Sequence, residues 1–187
     1  MGTDNGILIY NYRTDRYEQP ATDFPTDVRT MALQGDTLWI GALNGLYTYQ
    51  LQNRKLSPLD TKRNGLPHNT IYSIIRTGDN QIYVGTYNGL CRYIASNGKF
   101  EKIPLPVNSS QSNLFVNSLL EDTGRQCIWI GTEGYLFQYF PSTGQMKQTE
   151  AFHNNSIKSL ALDGNGDLLA GTDLSLIHIS EPTRRVV

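Results

Sequence analysis

The chain has 187 residues, 39% of them hydrophobic and 18% charged, with a formal net charge of -1 at pH 7. Against roughly 25% charged residues in an ordinary soluble domain, this composition excludes a disordered segment, and so small a charge excludes the broad basic field that binds nucleic acid. No apolar run reaches the roughly 20 residues of a membrane span, and two cysteines cannot form a disulfide framework.

Eleven tyrosines, seventeen glycines and eight prolines favour strands and turns. From the N-terminus onward one glycine recurs, as Gly2, Gly41, Gly85, Gly131 and Gly171, at spacings of 39, 44, 46 and 40 residues. Propeller blades repeat at roughly 40–50 residues. A tyrosine stands eight residues after each of the first four glycines, at Tyr10, Tyr49, Tyr93 and Tyr139. Five residues further is a turn position, held by Asp15, Arg54, Gly98 and Gly144. A second anchor precedes the later glycines by 13 to 15 residues: Val28-Arg29-Thr30, Ile71-Tyr72-Ser73, Val116-Asn117-Ser118 and Ile157-Lys158-Ser159.

Each repeat therefore reads as four short strands. The first carries the Val/Ile-x-Ser/Thr anchor, and a tight turn such as Gly78-Asp79-Asn80 follows it. The second is an apolar run ending on the recurrent glycine, as in Leu38-Trp39-Ile40, Ile82-Tyr83-Val84 and Ile128-Trp129-Ile130. The third includes the recurrent tyrosine, and the fourth follows a hairpin such as Ser96-Asn97-Gly98-Lys99. No segment sustains an apolar period of 3.6 residues, so helix is expected to be nearly absent. The expected fold class is all-β, a β-propeller fragment of about four four-stranded antiparallel blades over residues 1–173.

Residues Leu174 to Arg184 break the pattern directly after Gly171-Thr172-Asp173, and their string resembles a translated sequencing adapter. Residues 174–187 are therefore set aside as a non-native tail. Met1 occupies the place that Ile40, Val84 and Ile130 hold in later repeats, so truncation is expected at both ends.

The consensus Leu-Trp-Ile-Gly-Thr-x-x-Gly-Leu-x-x-Tyr resembles the two-component regulator propeller repeat. The copies that carry the resemblance are residues 84–93 and Trp129-Ile130-Gly131-Thr132, with Asn64-Gly65-Leu66-Pro67-His68-Asn69 also family-like. Ala42 replaces Thr in one copy, and Glu133-Gly134-Tyr135 shifts a glycine in another. The resemblance implies a periplasmic sensor region of a hybrid two-component system, anchored in the inner membrane. Elsewhere in such a parent chain lie a membrane helix and a histidine kinase, and homodimers are expected of the parent. Family members sense carbohydrate breakdown products. An oligosaccharide ligand is thus implied, with neighbouring blades as the structural partners and no membrane contact by this segment.

Candidate residues divide accordingly. Trp39, Trp129 and the recurrent tyrosines repeat at equivalent strand positions, which suits core packing better than sugar stacking. Asp163, Asn165 and Asp167 imitate a calcium loop, but Leu168 stands where such a loop needs glycine, so a hairpin is expected. His68, His153 and His178 are scattered, no metal-ligand spacing occurs, and no cofactor or catalytic group is indicated. Cys91 and Cys127 read as strand-packed thiols.

Loops between second and third strands, and those leading into each first strand, emerge at one end of a propeller, where recognition residues ride on a rigid scaffold. Asn44, His68, Asn69, Tyr87, Asn88 and Glu133 fall there and form the expected ligand-binding set. Asn, Glu and His hydrogen-bond hydroxyls, and Tyr87 offers a stacking face. The leading expectation is a non-enzymatic ligand sensor. The alternatives are a scaffold binding protein partners and, third, a polysaccharide lyase or hydrolase propeller.

Overall fold

The computed structural model describes residues 2–3, 6–18, 24–106, 115–149, 156–174 and 176–179. It divides into two compact units, Met1–Val116 and Asn117–Val187.

The first unit opens with β1 (Gly2–Thr3) paired to β2 (Gly6–Ile7), then β3 (Ile9–Asn11) paired to β4 (Arg16–Glu18). Two complete blades follow. One is β5 (Val28–Gln34), β6 (Thr37–Ala42), β7 (Gly45–Gln50) and β8 (Lys55–Leu59), paired in chain order. After a single helical turn, α1 (Thr61–Asn64), comes the other: β9 (Ile71–Arg76), β10 (Ile82–Thr86), β11 (Gly89–Ile94) and β12 (Lys99–Ile103).

The second unit holds β13 (Val116–Asp122, whose first residue counts with the first unit), β14 (Cys127–Thr132), β15 (Leu136–Phe140) and β16 (Gln145–Thr149) as one sheet. A three-stranded sheet, β17 (Ile157–Leu162), β18 (Leu168–Thr172) and β19 (Leu176–Ile179), completes it. Antiparallel strands paired in chain order are the blade architecture of a propeller. Among the described residues three blades are four-stranded and one is three-stranded. Strand β19 lies inside the segment set aside from the repeat. Its alternating Leu-Ile-His-Ile places Ile177 and Ile179 against the core, and an alternating apolar run readily pairs with an open strand edge.

The hairpin between third and fourth strands turns where the sequence places it. Asp15, Arg54, Gly98 and Gly144 all have positive φ, between 52° and 70°, the left-handed backbone such tight connections demand.

The recurrent glycine has a packing cause. A Cβ on Gly41 would stand 2.6 Å from Thr30 Cγ2 and 2.5 Å from Ile71 Cγ2, and one on Gly131 would overlap Ser118 Oγ and meet Ile157 Cγ2 at 2.6 Å. In each case one neighbour is the Ser/Thr of the blade's own first strand. The other is the Val/Ile opening the next blade's first strand. The glycine and the Val/Ile-x-Ser/Thr anchor are thus two sides of one inter-blade contact, which no side chain at the glycine could share. Hydrogen bonds reinforce it: Ile74 N donates to Thr30 Oγ1 at 3.1 Å, and Ser73 Oγ donates to Val116 O at 3.3 Å.

Both tryptophans are core residues. Trp39 is 2% exposed, its ring edge-on to Tyr93 at 4.7 Å, and its Nε1 donates to Gln34 Oε1 at 3.1 Å. Trp129 is 5% exposed and donates to Asp122 Oδ2 at 3.0 Å. Tyr49 and Tyr139 are buried and Tyr93 half-buried, as core roles require. Tyr10 departs from this. It is exposed, and its ring lies 5.0 Å from Tyr17 in a two-stranded sheet.

Candidate functional site

The second-to-third-strand loops are held by the threonine after the anchor glycine. Thr86 Oγ1 accepts from Asn88 N at 3.0 Å and donates to Gly89 O at 2.9 Å. Thr132 Oγ1 likewise accepts from Tyr135 N at 3.0 Å and donates to Tyr135 O at 2.9 Å. Both threonines are fully buried, so the residue that follows, Tyr87 or Glu133, projects from a fixed base. Tyr87 N also donates to Thr70 O at 3.1 Å, joining this loop to the one leading into β9.

That second loop is equally determined. Asp60 caps α1, accepting from Lys62 N at 2.8 Å and Arg63 N at 2.7 Å, and Gly65 ends it in the left-handed conformation at φ 73°. Leu66 is buried in the core and pins the chain. His68 Nδ1 then accepts from Thr70 N at 3.0 Å, which leaves Nε2 as the ring's donor.

These two loops bring His68 and Tyr87 together, ring centroids 4.9 Å apart. Tyr87 in turn meets Phe115 at 4.1 Å, and Phe115 stacks with Tyr72 at 6.1 Å. The result is a run of four rings, all half-buried, at the loop end of the first unit. Aromatic faces exposed in this way suit the C–H surface of a sugar ring.

In the second unit Glu133 centres a polar cluster. Its Oε2 accepts from Ser156 Oγ at 3.0 Å and Asn117 Nδ2 at 3.2 Å, and Lys158 Nζ lies 3.6 Å away. Lys158 also reaches Asp173 Oδ1 at 3.7 Å. Burial raises the Glu133 pKa, but the hydrogen bonds from Asn117 and Ser156 and the Lys158 charge outweigh it, so the net shift is downward. Glu133 is a fixed, ionised acceptor.

Of the six residues expected from sequence, His68 and Tyr87 join the ring cluster and Glu133 the polar one. Asn44, Asn69 and Asn88 are exposed loop residues outside both. Asn44 Oδ1 accepts from Tyr47 Oη at 3.5 Å, and Asn88 serves the Thr86 turn. Sequence reading missed Tyr72, Phe115, Asn117, Ser156, Lys158 and Asp173. Tyr72, Asn117 and Lys158 are the variable middle residue of the Val/Ile-x-Ser/Thr anchor, a signal that was present. Asp163 forms a hairpin as expected, its Oδ1 accepting from Asn165 N at 2.8 Å and Asp167 N at 2.9 Å. His153 lies outside the described residues, and among those described no three His, Cys, Asp or Glu converge on a metal-sized site.

Residues 65–88 match the family model of the two component regulator propeller. Two crystal structures of the extracellular domain of BT4673 from B. thetaiotaomicron are similar. The first, described as a hybrid two component system, has a TM-score of 0.93 and 86% identity over 98% of this chain and 24% of that one. The second, described as a one component system, has a TM-score of 0.92 and 87% identity over 96% of this chain and 24% of that one. The extracellular domain of the hybrid two component system BT3049 from the same organism, at 19% identity and a TM-score of 0.75 over 96% of this chain and 25% of that one, shows the shared fold. Comparison with curated proteins gave no match. The chain spans about a quarter (24%) of those BT4673 extracellular domains. The chain thus carries the two-component regulator propeller repeat, matched at residues 65–88, within a blade architecture and sequence shared with those BT4673 extracellular domains.

Proposed function

We propose that this chain is part of the extracellular, ligand-sensing propeller region of a hybrid two-component system, and that its loop end binds a carbohydrate breakdown product. The observation that carries the reading is the run of rings Tyr72, Phe115, Tyr87 and His68. The packing rings Trp39 and Trp129 are 2% and 5% exposed, whereas these four stay half-exposed where the first strand β9 meets the loops. Similarity to extracellular domains of two-component systems supports the cellular side. In the parent protein, bound ligand would favour one of two arrangements and so bias a histidine kinase across the membrane. Such coupling requires a difference in affinity between the two states.

Calorimetric titration of the chain with oligosaccharides tests the binding claim, and autophosphorylation of the parent with the same ligand tests the signalling claim. Binding that disappears in Tyr87→Ala, together with ligand-dependent phosphorylation, is the expected result. A chain that binds no glycan but captures a protein partner stably would move the scaffold function ahead.

A further inference from the structure

The first strands β5, β9 and β17 carry an irregularity at their loop ends. In the pairing of β9 with β10, Ser73 faces Gly85 and Ile71 faces Thr86, so Tyr72 is an extra residue with no partner. Strand β5 repeats this with Thr30 opposite Gly41 and Val28 opposite Ala42, leaving Arg29 extra. Strand β17 does so with Ser159 opposite Gly171 and Ile157 opposite Thr172, leaving Lys158 extra. Asn117 holds the matching place in Val116-Asn117-Ser118. A bulge frees one residue from the ladder and re-aims its side chain, which is why bulges gather beside binding sites.

The flanking residues are committed to packing. Ile71, Val116 and Ile157 have zero exposure, and the Ser/Thr two places on lies against the anchor glycine. The residue between them has no such duty, and its chemistry differs from blade to blade: Arg29, Tyr72 and Lys158 at the bulges, and Asn117 at the matching place. Where its contacts are defined, they run to loop residues of the candidate site. Tyr72 stacks on Phe115, Asn117 donates to Glu133, and Lys158 bridges Glu133 and Asp173.

We propose that this middle residue of the Val/Ile-x-Ser/Thr anchor is the specificity-determining position of its blade, which rests on the carbohydrate-binding reading given above. Tyr72 makes its blade a stacking subsite for the C–H face of a pyranose. Asn117 and Lys158 hold Glu133 through Oε2 alone, and among the described residues no donor meets Oε1, which is left to accept from ligand hydroxyls. One lysine against two carboxylates leaves that subsite negative, so it repels uronates and selects neutral sugars.

The test is calorimetric titration of the native chain and of Tyr72→Ala, Tyr72→Phe, Asn117→Ala and Lys158→Ala. The probes are neutral gluco-, galacto-, manno- and xylotetraose and, for contrast, tetragalacturonate, with a thermal melt of each variant. The native chain is expected to bind a neutral tetrasaccharide more tightly than the uronate. Tyr72→Ala should weaken that binding about tenfold, equivalent to about 1.4 kcal/mol, and Tyr72→Phe should restore it. Asn117→Ala and Lys158→Ala should change the order of preference among the probes, and all four variants should melt with the native chain. If a tetrasaccharide binds but these variants keep native affinity and preference, or lose it only by melting early, the specificity role is overturned and the binding reading stands. If the native chain binds none of the probes, both are overturned.

Discussion

Replacing Gly85 by alanine separates packing from backbone freedom. In an ordinary strand the exchange would stabilise by roughly 0.4–1 kcal/mol, because alanine narrows the unfolded ensemble. At Gly85 the added methyl would overlap Ser73 Oγ and would stand 2.6 Å from Val116 Cγ1 and 2.7 Å from Val116 O. Ser73 is 8% exposed and Val116 0%, so neither has space to retreat, and a main-chain carbonyl cannot rotate away. Overpacking of this kind costs about 1–3 kcal/mol. Displacing Ser73 also threatens its 3.3 Å bond to Val116 O, worth about 1 kcal/mol. The net expectation is a loss of about 2–3 kcal/mol, or a melting point lower by roughly 4–12 °C for a chain of this size. Gly164 is the control, since a methyl there meets nothing within 4 Å. Urea unfolding followed by the fluorescence of Trp39 and Trp129 gives both values, with unchanged m confirming that only stability moved. If Gly85→Ala unfolds within about 0.5 kcal/mol of Gly164→Ala, an ordinary surface difference, the inter-blade account of the glycine repeat is wrong.

Asp122 is buried. Burial alone would raise its pKa, but hydrogen bonds from Trp129 Nε1 and from the Arg125 main chain and guanidinium outweigh it and leave a net lowering. A lowered folded-state value contributes stability above the unfolded value of about 3.9, lost as pH falls through the folded one. Asp122→Asn should therefore cost about 1–3 kcal/mol at pH 7, with the gap to native closing in denaturation curves taken toward pH 2. Both thiols should resist an aqueous maleimide at pH 8 until urea unfolds the chain. Burial raises Cys91, and burial with the nearby Asp122 charge pushes Cys127 up to about 11. Thr86→Val strips the hydroxyl that serves both Asn88 N and Gly89 O. It should speed amide exchange across residues 86–89 while leaving exchange in β14 unchanged.

The fold was legible because its signals are local and repeated. The glycine spacing marked the inter-blade contact, and the turn residues Asp15, Arg54, Gly98 and Gly144 marked hairpins that have positive φ. Tyr10 was misjudged because burial depends on what packs against a strand, and equivalent sequence places do not guarantee equivalent neighbours. Half of the expected site residues found clusters, since loop location pointed to His68, Tyr87 and Glu133. Tyr72 and Lys158 were hidden by the bulge. An alternating pattern assumes one residue per ladder step, and the extra residue in β9 and β17 turns Tyr72 and Lys158 out of that count. Asn44, Asn69 and Asn88 looked similar on paper, but they are exposed loop residues in neither cluster.

Saturation-transfer NMR with a bound oligosaccharide tests the central claim most directly. Irradiating the aromatic protons of the chain should transfer saturation to C–H protons on one face of a sugar ring, and the transfer should vanish in Tyr87→Ala and diminish in Tyr72→Ala. Transfer that persists undiminished in both variants, or that reaches no sugar proton at all, would contradict a carbohydrate site built on Tyr72, Phe115 and Tyr87.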